Sequence, residues 1–262
     1  MTQRCLVVAI VLAACSNASS FTDARPVDAA SPALTARLAR PGSGCSPHAL
    51  VTFVIDDGAQ ADYTIKKPIF DAHRAVAVAA IISTRRSLTD DQLREMQAAG
   101  WEIANHSRTH PDLTTLSLSQ VESEIIGAKA DLAARGFTTR LFVYPYGQSN
   151  ALVHAIAIKH HVATAAIGRG LNGWPRRAGV DLGRYNFGTQ YARPGRNTLS
   201  FYESQVDSAG KGSQWLIFMV HQLIGGDAQN LGDLLDYIHA QGIPIVTASE
   251  GLRQLSTCQV QP

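Results

Sequence analysis

Residues 75–104 decide the fold class: AVAVAAII at 75–82, STRRSL at 83–88, TDDQLREMQAA at 89–99, Gly100, and WEIA at 101–104. Ala75–Ile82 is an apolar run of strand length, and Trp101–Ala104 is a second candidate strand, apolar apart from Glu102. Thr89–Ala99 between them has a helical pattern, and Gly100 follows as its C-terminal stop. Strand, helix and strand in that order predict two parallel strands joined by a crossover. The alternation continues in both directions. Further strands are predicted at Val51–Ile55, Leu141–Val143, Val162–Ile167, Trp215–Val220 and Ile243–Thr247. Further helices are predicted at Leu118–Arg135 (closed by Gly136), Asn150–His160, Thr198–Ala209 and Leu231–Gln241. Seven strands in about 200 residues suit an α/β fold, either one barrel or one doubly wound sheet. Both gather their chemistry at the C-terminal ends of the strands.

The whole chain has 262 residues, 45% hydrophobic and 17% charged, which suffices for a core and excludes a disordered chain. A net charge of +2 without a clustered Lys/Arg run excludes an electrostatic nucleic-acid binder. Ahead of the first strand the character changes. Met1–Arg4 is short and positive, and Cys5–Ala14 is an apolar run too short to span a bilayer. It ends in Leu12-Ala13-Ala14-Cys15, which resembles the lipobox of bacterial lipoproteins; an ordinary secretory signal is the alternative. The expectation is a signal peptide at 1–14, a lipid on Cys15 anchoring the protein to a membrane, and a flexible tether at 15–48. The domain then occupies 49–258, in an exported monomer of the bacterial envelope on the periplasmic or outer-membrane side. In an oxidising compartment Cys45 and Cys258, which flank that domain, are expected to form a disulfide, with two free thiols as the alternative.

The strand ends carry the polar residues of interest. Val51–Ile55 runs into Asp56-Asp57-Gly58. Neighbouring carboxylates on an extended chain point to opposite sides, so one can bind a metal while the other takes a proton. A plain strand-to-loop turn explains Asp-Gly equally well. Trp101–Ala104 runs into Asn105-His106-Ser107-Arg108-Thr109-His110. Two His four apart share a face if the segment is helical, and both rings then reach one ion. Pro111 limits such a helix to a single turn. Trp215–Val220 ends at His221, whose weight comes from sharing a rim with the other two ends. After Leu141–Val143, Tyr144-Pro145-Tyr146-Gly147 forms a fixed loop able to present backbone N–H groups to an oxyanion; an aromatic-proline turn is the alternative.

VIDDG at 54–58, HSRTH at 106–110, VYPYG at 143–147 and MVH at 219–221 together resemble the polysaccharide deacetylases with the NodB homology domain, carbohydrate esterase family 4. The resemblance covers about residues 50–255 and implies a distorted (β/α) barrel of about seven parallel strands. It implies a metal-dependent hydrolase that removes acetyl groups, N-acetyl first, from an envelope or matrix polysaccharide. Asp57, His106 and His110 would bind a divalent ion, zinc foremost, with nickel, cobalt or manganese also accepted. Asp56 would be the general base, His221 the general acid, and the backbone N–H of Tyr146 an oxyanion donor. Pro145 and Tyr144 are expected at the substrate, and Tyr63 and Trp174 are further aromatics for stacking on sugar rings, with core packing as the alternative. Val143 stands where many members carry an Arg that orients the base; Arg184 is the candidate replacement cation and a candidate substrate contact. The form of the Tyr144–Gly147 loop looks most like exported poly-N-acetylglucosamine deacetylases. A non-catalytic sugar- or metal-binding lipoprotein is the competing reading, but a relic should have lost the base or the acid. A peptide- or ester-cleaving hydrolase of another type would need His-Glu-x-x-His or a Ser elbow, and neither occurs.

Overall fold

Every residue of β1 (Leu50–Ile55) is buried, and so is every residue of β8 (Trp215–Val220), its partner. Strands buried on both faces belong inside a helix-wrapped parallel sheet, which explains their unbroken apolar runs. The computed structural model describes residues 48–168, 170–173, 180–188 and 197–258, the side chains of Val180 and residues 255–258 excepted. The expected signal, tether, Cys15 lipid and Cys45 lie outside the described residues, as do Trp174 and the side chain of Cys258.

Between those two strands come β2 (Val78–Ile81), β3 (Glu102–Asn105), β4 (Leu141–Val143), β5 (Ala163–Ile167), β6 (Leu171–Asn172) and β7 (Val180–Phe187). Strands β1, β2, β3, β4, β5, β7 and β8 pair in parallel in that order, and β8 pairs back with β1. The result is a closed, distorted (β/α) barrel of seven parallel strands, with the two-residue β6 added antiparallel to β8.

The helices are α1 (Lys67–Ala72), α2 (Asp90–Ala98), α3 (Leu118–Glu122), α4 (Ala128–Ala134), α5 (Ala151–His160), α6 (Leu199–Gly212), α7 (Asp227–Ala240) and α8 (Ala248–Cys258). Among the described residues none is long and apolar enough to cross a membrane. Thr89 caps α2 through a reciprocal pair with Gln92, so the chain leaves the β2 loop at a defined point. The predicted helix 118–135 is interrupted by a π-turn, Ser123–Gly127, between α3 and α4, and a second π-turn, Asp62–Lys66, leads into α1.

Alternate strand residues face opposite ways. Phe53, Ile55, Leu216 and Phe218 pack outward with Phe70, Leu234, Leu235 and Ile238 of the helices. Leu50, Val54, Val78, Leu141, Trp215 and Ile217 form a second core with Ala80, Ala104, Ala163 and Ala165.

One predicted strand is not formed. Ile243–Thr247 makes only a single bridge, Val51 to Ile245, because Pro244 has no N–H to extend a ladder. The seventh barrel strand is instead β7, VDLGRYNF, whose Asp181, Gly183, Arg184 and Asn186 hide it from a search for apolar runs.

Candidate active site

The C-terminal rim of the barrel is built strand by strand. At the end of β1, Asp56 continues the inward register, is only 3% exposed, and donates its N–H to Val220 of β8. Asp57 (φ 83°) and Gly58 (φ 65°) then turn the backbone through the left-handed region, which brings the Asp57 carboxylate to the mouth. Below this turn Asp62 accepts from the Ala59 N–H at 2.8 Å and from Lys66 Nζ at 2.6 Å, a buried pair that fixes the loop.

At the end of β3 the expected helical turn is absent. Ser107 (φ 65°) and His110 (φ 66°) are both left-handed and reverse the chain instead. Hydrogen bonds hold this geometry: the Ser107 N–H donates to Asn105 Oδ1, and the His110 N–H to Ser107 Oγ, each at 2.9 Å. Asn105 in turn donates to the Ile125 carbonyl of the π-turn at 2.9 Å and to His161 Nε2 at 3.2 Å. The loop thereby brings the His106 and His110 rings to 4.7 Å without a helix.

His106 Nδ1–H donates to the Val143 carbonyl at 2.8 Å, so Nε2 is left as an acceptor facing the centre. That Nε2 is buried and has no hydrogen-bond partner. It lies 3.9 Å from Asp57 Oδ1, and His110 Nε2 lies 3.6 Å from the same oxygen. Burial, the largest influence, takes the His106 pKa down to about 4, so the ring is neutral at pH 7. Burial also lowers that of His110, against the pull of Asp57. One ligand atom each from Asp57, His106 and His110 fall within 4.8 Å of one another. Two neutral imidazoles, one carboxylate and an orphaned buried nitrogen aimed between them fit a divalent ion.

Asp56 lies on the inner side of this group. Arg184 Nη1 donates to both its oxygens, at 2.7 and 2.9 Å, from β7. Burial pushes the Asp56 pKa up most strongly, but Arg184, His106 and His221 together hold it below the ordinary carboxylate value. His221 Nε2 sits 3.8 Å from Asp56 Oδ2, from the end of β8. Tyr146 has a left-handed φ of 56° in the Pro145–Gly147 turn, and its ring lies 4.7 Å from that of His110.

Four residues expected at the substrate lie elsewhere or are engaged otherwise. Tyr144 has no exposed surface; its hydroxyl is 2.9 Å from His154 Nδ1 and its ring packs on Phe142 in the outer core, so it does not face a sugar. Pro145 is buried and shapes the turn. Arg184 is buried beneath Asp56 instead of lying at a substrate surface. Tyr63 is partly buried, with its hydroxyl bonded to Glu95. Sequence reasoning missed Asn105 and Arg85, whose Nη1 lies 3.8 Å from Asp57 Oδ1. Arg85 follows the predicted strand Ala75–Ile82, so the rule that chemistry gathers at strand ends was the signal that could have found it.

Comparison with known proteins gives the same picture. Residues 43–165 match the family described as polysaccharide deacetylase. A chitooligosaccharide deacetylase from Sinorhizobium fredii is 32% identical over 111 residues, 41% of this chain and 50% of that relative. The chain thus spans about half the length of that curated relative. The Xyl-CE4 domain of a multidomain xylanase from the hindgut metagenome of Trinervitermes trinervoides shares the fold at TM-score 0.59 and 18% identity, over 79% of this chain and 91% of that one. BA3943, a CE4 family pseudoenzyme from Bacillus anthracis, shares it at TM-score 0.58 and 17% identity, over 79% and 66%. Over residues 43–165 the chain is thus similar to the polysaccharide deacetylase family, and its fold is the one that structures of carbohydrate esterase family 4 share.

Proposed function

We propose that this chain removes acetyl groups, N-acetyl first, from an envelope or matrix polysaccharide, with a divalent ion in its active site. The observation that carries the reading is the meeting of Asp57, His106 and His110 around one centre, with Asp56 and His221 beside it. A fold shared with a pseudoenzyme does not decide activity, so the residues must.

Held by Asp57, His106 and His110, a divalent ion would polarise the acetyl carbonyl and make water more acidic. Zinc suits this donor set best, and nickel, cobalt or manganese also fit. The protein supplies the rest. Asp56, kept ionised by Arg184, takes the proton of the attacking water as its oxygen bonds to the acetyl carbon. The Tyr146 N–H donates to the carbonyl oxygen as charge develops there. His221 gives a proton to the departing sugar nitrogen as the C–N bond breaks, leaving acetate and a free amine.

The wider reading is that residues 1–14 are a signal, Cys15 carries a lipid, 15–48 tether the domain to a bacterial membrane, and Cys45 pairs with Cys258. Poly-N-acetylglucosamine is the first polymer to test. Acetate release from poly-N-acetylglucosamine, chitin oligomers, peptidoglycan and acetylated xylan should be abolished by a chelator and restored by zinc. Release that ignores the chelator, or none from any polymer with zinc present, would contradict the proposal.

A further inference from the structure

The loop after β3 carries both histidines of the candidate metal group, and side chains hold its backbone. Each N–H from Ser107 to His110 donates to one of them. Ser107 donates to Asn105 Oδ1 at 2.9 Å and His110 to Ser107 Oγ at 2.9 Å. Between these, Arg108 and Thr109 both donate to Glu124 Oε2, at 2.9 and 2.8 Å. The Thr109 hydroxyl adds a bond to Glu124 Oε1 at 2.6 Å. A single carboxylate thus accepts three bonds from two consecutive residues, and hydrogen bonds to a charged acceptor are stronger than neutral ones.

Glu124 reaches the loop from the π-turn Ser123–Gly127. Its neighbour Ile125 accepts from Asn105 Nδ2 at 2.9 Å, so both outer supports of the loop end on adjacent residues of one turn. Such turns inside helical segments recur at functional sites. The loop needs the support. Ser107 (φ 65°) and His110 (φ 66°) are left-handed without being glycine, a conformation that persists where the surroundings impose it. The β2 loop steadies the first half, where the Ser83 and Thr84 N–H groups donate to the Ser107 and Arg108 carbonyls at 3.1 and 3.2 Å. Thr109, which leads into His110, is hydrogen-bonded among the described residues to Glu124 alone. The two histidines also differ. His106 is fully enclosed and its ring is tied to the Val143 carbonyl, whereas the His110 side chain is 17% exposed and depends more on its backbone for direction.

We propose that Glu124 is a positioning residue for the candidate metal site, holding Thr109, and through it His110, in the form that turns His110 Nε2 toward Asp57. The proposal rests on the metal group of the deacetylase reading and extends it to a side chain outside that group. Both Glu124 oxygens are occupied by the loop, so it acts through His110 and not as a ligand. Loss of a hydrogen-bonding group that orients metal ligands typically costs about 10- to 100-fold in metal affinity.

The test uses the full-length protein. Zinc affinity is measured by competition with a chromophoric chelator, beside the melting temperature of the metal-free form and amide hydrogen exchange at Arg108 and Thr109. Glu124→Ala should weaken zinc binding about tenfold or more and speed exchange at both amides, with the melting temperature nearly unchanged because the side chain is half-buried at the surface. Glu124→Gln keeps an oxygen for the two N–H groups and an amide for the Thr109 hydroxyl, so it should recover most of the loss. Asp131→Asn disturbs the Arg108 side chain and Ser83 hydroxyl but not the loop N–H groups, and should bind zinc like the wild type. Unchanged zinc affinity in Glu124→Ala overturns the proposal. An equal loss in Glu124→Gln assigns the effect to charge alone, and an equal loss in Asp131→Asn assigns it to general loosening; either overturns it too. Should Glu124→Ala not fold, Thr109→Val removes the hydroxyl bond alone and should show a smaller loss of the same kind, no loss again counting against Glu124. If the wild type binds no zinc, the metal reading fails, and exchange decides the role of Glu124 separately. Faster exchange at Arg108 and Thr109 in Glu124→Ala sustains its hold on the loop, and equal rates overturn it.

Discussion

Asp56→Asn protein should hold its divalent ion at full stoichiometry and release acetate about 10²- to 10⁴-fold more slowly than the wild type. The substitution keeps the shape of the side chain and leaves Asp57, His106 and His110 in place, so the metal group is not the target. It removes the group that accepts the proton of water. It also replaces one of two carboxylate oxygens that now accept from Arg184. Metal content and acetate release are measured on the same preparation. Full activity would remove Asp56 from the mechanism, and loss of metal together with activity would make it a ligand instead.

Arg184→Gln should have the largest effect on stability. Arg184 and Asp56 are a buried pair, and removal of one partner leaves the other charged and unpaired, at a cost of about 3–5 kcal/mol. Turnover should fall as well, because the base loses its orientation. The pH dependence gives a second readout in the metal-free protein. In the wild type the Asp56 pKa is lowered, so its stabilising contribution is present above the unfolded carboxylate pKa and is lost as pH falls through the folded one. Without Arg184, burial is opposed only by His106 and His221. The pKa should rise, and if burial then dominates, ionisation of Asp56 destabilises the fold as pH increases. Denaturant unfolding across acidic to neutral pH reads both effects. A variant as stable as the wild type, with the same pH profile, would mean that Arg184 does not support Asp56.

The barrel was legible because a parallel strand buried on both faces has to be apolar throughout, as in Val51–Ile55 and Trp215–Val220. The candidate site was legible because such folds place chemistry after those runs, where Asp56, Asp57, His106, His110 and His221 occur. What escaped was set by pairings distant in sequence. β7 is too polar to read as a strand, so although Arg184 was named as the replacement cation, the element that delivers it to Asp56, 128 residues away, was not foreseen. Ile243–Thr247 has the composition of a strand, yet Pro244 limits it to one bridge. The two His of the β3 loop converge through left-handed Ser107 and His110, a geometry held by Asn105 that a spacing rule credits to a helix. Tyr144 follows a strand that is apolar on its outer face too, and it is buried there with Phe142 against α5.

The deacetylase reading requires one ion among three side chains at the mouth of the barrel. A crystal of the protein grown with zinc, examined by anomalous scattering at the zinc edge, tests it directly. A single strong peak is expected about 2.0–2.2 Å from Asp57 Oδ1, His106 Nε2 and His110 Nε2. A peak elsewhere on the protein, or an empty site between these three atoms with zinc in excess, would contradict it.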